Sequence, residues 1–200
     1  MKKLKLLLLA VFTFVFLAGT VFAEGKAEKY MNQFKNKDVM MHFIMHGKIK
    51  GKAVKSDMTV ATMGKKTMTK MEYEGQVVRF LIEGKKSYMV SDKDKMAMNL
   101  SLLGISPSLF KQPEITGTKV VGSGTDTVLG KKLPYEEVAL EKGEKIRYYF
   151  KGDELAYITG NSSGDDYIME MLECTTKVSA SLFEIPKSYR IMDGLKDMGI

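Results

Sequence analysis

The sequence predicts a mainly β protein with a few helices, built on an antiparallel sheet of short strands. Three observations carry that expectation. From Val39 to about Tyr157 apolar and polar residues alternate, and Gly recurs at 47, 51, 64, 75, 84, 130, 143 and 152, the rhythm of an antiparallel meander, sandwich or barrel. The tripeptide Gly-Lys-Lys stands at 64–66, 84–86 and 130–132, each time between two apolar-rich runs, where Gly supplies a turn's positive φ and lysine keeps it wet. Only two short stretches carry helical spacing instead.

The chain begins with a segment that is set apart from the fold. Lys2, Lys3 and Lys5 precede an apolar run from Leu6 to Ala18, and Val21, Phe22 and Ala23 form a small-x-Ala cleavage pattern. Residues 1–23 are therefore expected to be a secretory signal peptide, and residues 24–200 a single domain. An uncleaved anchor is the alternative, because the apolar stretch approaches the roughly 20 residues that a span needs. Thr20 stands where a lipoprotein signal would carry cysteine, so the mature chain is expected to be unlipidated and periplasmic.

The signal peptide takes three lysines and no acids with it, so the formal charge falls from +7 to +4. Such a mild excess, spread singly along alternating strands, lacks the clustered stripe and aromatic platforms of a nucleic-acid binder. Cys174 is the only cysteine, which excludes an intrachain disulfide and leaves stability to packing. Its neighbours Leu172 and Val178 read as strand, where a free cysteine is a small buried hydrophobe.

Residues 25–35 form the first expected helix, with Tyr30, Met31 and Phe34 at helical spacing. Strands are expected at 39–50, 54–63, 66–74, 76–83, 86–92 and 95–100, then at 117–129, 133–141, 145–151, 155–159 and 166–179. Between the two sets, "SLLGISPSLFKQPEIT" at 101–116 reads as a short apolar helix, capped by Ser106 with Pro107 in its first turn. Within the strands the faces differ. Met41, Phe43, Met45 and Ile49 share one side of the first strand and His42, His46, Lys48 and Lys50 the other, so the sheet is expected to have a greasy face and a wet face.

Chemistry-bearing motifs are scarce. "GNSSG" at 160–164 fits Gly-x-Ser-x-Gly, but a nucleophile elbow needs a helix after it and a histidine later in the chain, and both histidines lie far upstream. "SDKDK" at 91–95 lacks the glycine and closing glutamate of a calcium loop. Glu136 with Glu137, and Asp165 with Asp166, are adjacent pairs whose members point to opposite faces of a strand, unlike an acid/base pair. No enzyme and no cofactor is expected.

"VMMHFIMHG" at 39–47 is the one candidate metal stretch, since thioether and imidazole suit copper. On a helix His42 and His46 would be about 6 Å apart and could chelate; on a strand four residues separate them by about 13 Å. Alternation and Gly47 favour strand, leaving Met40, His42 and His46 a minor copper option that needs ligands from a neighbouring strand. The methionines carry a different signal. Met41, Met45, Met58, Met71, Met96 and Met98 fall on apolar-face positions, either as core filler or as the pliable wall of an apolar ligand site.

Three phrases carry a family resemblance: "GTDTVLGKKLPYEEV" at 124–138, "KIRYYFKGDELAYITG" at 145–160 and "LFEIPKSY" at 182–189. With the N-terminal helix and the mid-chain insertion, they resemble the LolA/LolB-like superfamily of bacterial lipoprotein carriers over nearly all of the mature chain. "IRYYFKGDELAYI" lacks the Trp and Pro that relatives often carry there, so the resemblance points to a fold-sharing relative. It implies a curved, incomplete barrel whose concave face is covered by helices and accepts acyl chains. The wall would comprise Met41, Phe43, Met45, Met58, Val60, Met71, Tyr73, Phe80, Ile82, Met96 and Met98, with Leu109 and Phe110 from the insertion. The expected function is carriage of a lipid or lipoprotein acyl chain by a monomer, with an envelope protein-interaction module with a filled core as the alternative.

Overall fold

In the computed structural model, residues 25–49, 52–73, 75–101, 119–139, 144–162 and 165–192 are described. The elements run α1 (Lys26–Asn32), β1 (Val39–Ile49), β2 (Lys52–Met63), β3 (Lys66–Tyr73), β4 (Gln76–Glu83), β5 (Lys86–Ser91) and β6 (Met96–Asn99). They continue with β7 (Lys119–Val128), β8 (Lys131–Ala139), β9 (Lys145–Lys151), β10 (Glu154–Ser162), β11 (Asp165–Thr175), a 3-10 turn (Ala180–Phe183) and β12 (Arg190–Met192). The hydrogen-bonded order is β12-β6-β5-β4-β3-β2-β1-β11-β10-β9-β8-β7, a large sheet whose first and last strands are not partners. The mainly β expectation and the strand sequence are thus found. The expected 101–116 helix, Leu109 and Phe110, and the signal peptide fall outside the described residues.

Glycine turns set the meander where the sequence places them. Met63 pairs with Lys66 and Glu83 with Lys86, leaving two-residue loops that begin on Gly64 and Gly84, both with φ near +60°. That is the II′ hairpin geometry, which matches the natural twist of the strands. The third Gly-Lys-Lys works differently: its Gly130 is the second loop residue, after Leu129, and both have positive φ, as type I′ requires.

The chain divides into two compact units. Unit 1 comprises residues 1–36, 43–55 and 112–172. Its buried face collects Val138, Ile146, Tyr148, Phe150, Ile158, Tyr167 and Met169, and α1 sits against it: Tyr30 packs edge-on to Phe150, with ring centroids 6.3 Å apart. Helix α1 is only seven residues long, and a remote carboxylate holds its start. Glu136 accepts from the backbone N–H groups of Lys26 (2.7 Å) and Ala27 (2.8 Å), two of the donors a helix start leaves unpaired. Its neighbour Glu137 faces the other way, accepting from Arg147 and Lys145, as the strand alternation predicts.

Unit 2 comprises residues 37–42, 56–111 and 173–200. Here the expectation of a wet second face fails. Ala61, Met68, Leu81, Val90 and Ala97, all on the side opposite the greasy positions, are buried under Val178, Leu182, Phe183, Ile185 and Tyr189. The closing phrase "LFEIPKSY" is therefore a covering segment, and the apolar residues scattered among lysines on that face are its seat. The antiparallel expectation also has an exception, since β12 joins β6 in parallel. β12 follows the covering segment, which brings the chain back to the sheet edge running beside β6.

Candidate functional site

The strand registers bring most of the predicted wall residues onto one face of unit 2. One cross-strand row runs Val60–Thr69–Phe80–Met89–Met98–Met192, and the next runs Met58–Met71–Val78–Ser91–Met96–Arg190. Five strand spacings of about 4.8 Å make each row roughly 24 Å long. Met58, Val60, Met71 and Phe80 are 1–2% exposed, whereas Met89, Met96 and Met98, nearer β12, are half-buried. Ile82 shares the face next to Thr67 and is half-buried. On β1, Met41 and Phe43 are buried and Met45 half-buried, at alternate positions as expected. Tyr73 takes its place on β3 opposite Gln76, while its side chain lies outside the described residues.

Met89 and Met192 extend the wall beyond the residues expected from the sequence. Met89 shares its face with Ser87 and Ser91 in "KSYMVS", so period two gives it no apolar company, and its pairing with Phe80 and Met98 is what sets it in the wall. Met192 was not legible either, because a three-residue parallel strand has too little alternation to read.

The histidines occupy the opposite side of β1 from Met41 and Phe43. His42 Nε2 lies 2.9 Å from Asp57 Oδ2, and His46 Nε2 lies 3.3 Å from Glu170 Oε2. Glu170 is shared: Tyr157 donates to it, and Lys131 donates in turn to Tyr157 at 2.6 Å. Met40 packs instead against the cluster built on Ala61 and Met68. Among the described residues no three His, Cys, Asp or Glu side chains are grouped as a metal site. Ser162 ends a strand paired through Asp165 with the next strand, so "GNSSG" has no helix after it and is not an elbow.

A polar latch fastens the covering segment. Arg79, on the covered face of β4, donates to both carboxylate oxygens of Asp92 (2.7 and 3.0 Å) and to the carbonyls of Leu182 and Glu184, and the Tyr189 hydroxyl donates to Asp92. Partial burial pushes the Asp92 carboxyl up, but the hydrogen bonds and charge of Arg79 and the Tyr189 hydroxyl outweigh it and hold the group below its ordinary 3.8. Glu137 is likewise held below its ordinary 4.5 by hydrogen bonds from Lys145 and Arg147. A lowered carboxylate stabilises the fold above its unfolded value and loses that contribution as pH falls through the folded one. Urea midpoints should therefore fall as pH drops below about 4, and Asp92→Asn should flatten part of that fall. An unchanged acid slope in the variant would contradict the latch.

No family model and no curated protein matches the chain. Solved structures similar to it include an uncharacterized conserved protein from Thermus thermophilus, at 12% identity and TM-score 0.46 over 84% of this chain and 94% of that one. A LolA superfamily protein from Nitrosomonas europaea is similar at 10% identity and TM-score 0.39, over 79% of this chain and 97% of that one. LprF from Mycobacterium bovis is similar at 9% identity and TM-score 0.41, over 82% and 95%.

Proposed function

We propose that residues 24–200 form one LolA-like domain, an incomplete barrel lidded by helices, that follows a cleaved signal peptide and acts in the periplasm as a non-catalytic carrier of lipid acyl chains. The observation that carries the reading is the pair of thioether-rich rows crossing β2 to β12 on one face. Met side chains are unbranched and adaptable, so a wall of them accommodates a flexible chain without a fixed shape. Burying an acyl chain of about 16 carbons contributes roughly 12 kcal/mol at about 0.8 per CH₂. Association costs of order 4–15 kcal/mol leave a modest net affinity, which suits a protein that must also release its load.

A fluorescent fatty-acid probe tests the reading. The mature protein is expected to bind it in the micromolar range, and Met98→Asn, a polar change at a half-buried wall position, to weaken binding about tenfold with the fold intact. Absence of saturable binding by the wild type would reject carriage in favour of a module whose greasy face is filled by its own chain.

A further inference from the structure

The second methionine row ends on a charge. Arg190 pairs with Met96 across the β12–β6 ladder, and its Nη2 lies 3.8 Å from the sulfurs of both Met96 and Met192, so the guanidinium rests on the thioethers at the rim of the wall. The chain contains three arginines. Arg79 is committed to Asp92, and Arg147 to Glu137 and Asp126. Arg190 is exposed and, among the described residues, pairs with no carboxylate. Its backbone is nonetheless fixed, because its N–H donates to the Lys95 carbonyl at 3.0 Å.

We infer that Arg190 is the headgroup anchor of the acyl-chain site, so that the ligand is an amphiphile with an oxyanion head, carboxylate or phosphate. The inference rests on the carriage reading above and adds the polar end of the ligand to it. A guanidinium is weakly hydrated and presents a planar fork that matches a carboxylate or phosphate two-pronged. Placed at the end of an apolar row, it meets the head while the tail runs over Met96, Met98 and Met89 towards Phe80. The second row opens from buried Met58 and Met71 to half-buried Met96 and exposed Arg190, while Met192 at the end of the first row stays buried, so the tail enters along the second row from the arginine side. The competing role for a charged residue on a short edge strand is to deter edge-to-edge pairing, which needs no ligand and no fork.

Competition of the bound fluorescent probe by dodecanoic acid, dodecyl phosphate, dodecanol and inorganic phosphate separates the cases, run on wild type, Arg190→Gln and Arg190→Lys. The wild type should prefer the acid or the alkyl phosphate over the alcohol by about tenfold or more. Arg190→Gln should erase that preference by bringing acid and alkyl phosphate binding down to the level of the alcohol, and Arg190→Lys should restore it in part. Whether acid or alkyl phosphate ranks first identifies the natural head. Equal binding of acid and alcohol by the wild type, or a preference that survives Arg190→Gln, would overturn the anchor while leaving carriage standing. Competition by inorganic phosphate as strong as by alkyl phosphate would also overturn it, since the tail would then contribute nothing. Failure of every amphiphile, alcohol included, would remove carriage and the anchor together.

Discussion

Phe80→Ala is expected to cost about 3–5 kcal/mol, a large share of the roughly 5–15 that hold a domain folded. Phe80 is 2% exposed and sits in the middle of its cross-strand row, between Thr69 and Met89. Its truncation removes the largest side chain of that row and opens a void whose lining loses contacts outright. Met89 is unbranched and can lean into the gap, which puts the cost towards the lower end of the range. Urea denaturation measures it. A midpoint shift worth less than about 1 kcal/mol would mean that Phe80 is not part of a packed wall.

Gly160→Ala is expected to be nearly as damaging, for the opposite reason. Gly160 lies opposite Tyr167 on β11, and the Tyr167 ring lies across it. An added Cβ would overlap the tyrosine hydroxyl and come within 2.5 Å of Cζ. Tyr167 is 8% exposed, so it cannot swing clear without uncovering apolar surface. Overpacking of this kind costs about 1–3 kcal/mol or more. Against a Tyr167→Ala background the penalty should shrink, giving a coupling of about 0.5–3 kcal/mol in a double-mutant cycle. Strict additivity of the two changes would show that the ring does not occupy the glycine's side of the strand.

These two residues mark the limits of what the sequence reveals. Phe80 was legible because "VVRFLIE" alternates, so the wall face followed from period two, and the register then aligned it with Met71, Met89 and Met98. Gly160 opens "GNSSG", whose composition is that of a turn. In the structure it is a strand residue whose missing side chain makes room for a neighbour three places beyond the loop, at Tyr167. Only the pairing of β10 with β11 exposes that, and pairing is a non-local property.

The covered second face of unit 2 escaped for a related reason. On their own face of the strands Leu81 stands between Arg79 and Glu83, Val90 between Tyr88 and Asp92, and Ala97 between Lys95 and Asn99, and a lone surface hydrophobe in such company needs no explanation. They become a core patch only when Leu182, Phe183 and Ile185, more than eighty residues downstream, lie on them. The copper option on "VMMHFIMHG" has a simpler outcome, because β1 is a strand and its histidines each engage a carboxylate. Arg190 was the least legible of all: nothing in "KSYRIM" distinguishes it until its parallel pairing with β6 sets it beside Met96.

Carriage of an acyl chain by the thioether wall leaves a mark on the exported protein itself. Native mass spectrometry of the full-length precursor, expressed with export and released gently from the periplasm, tests it most directly, with lipid extraction to identify any bound mass. Mature protein beginning after Ala23 is expected, with one lipid-sized adduct that organic extraction removes. Protein that arrives free of lipid and takes up no fatty acid when incubated with it would contradict the account.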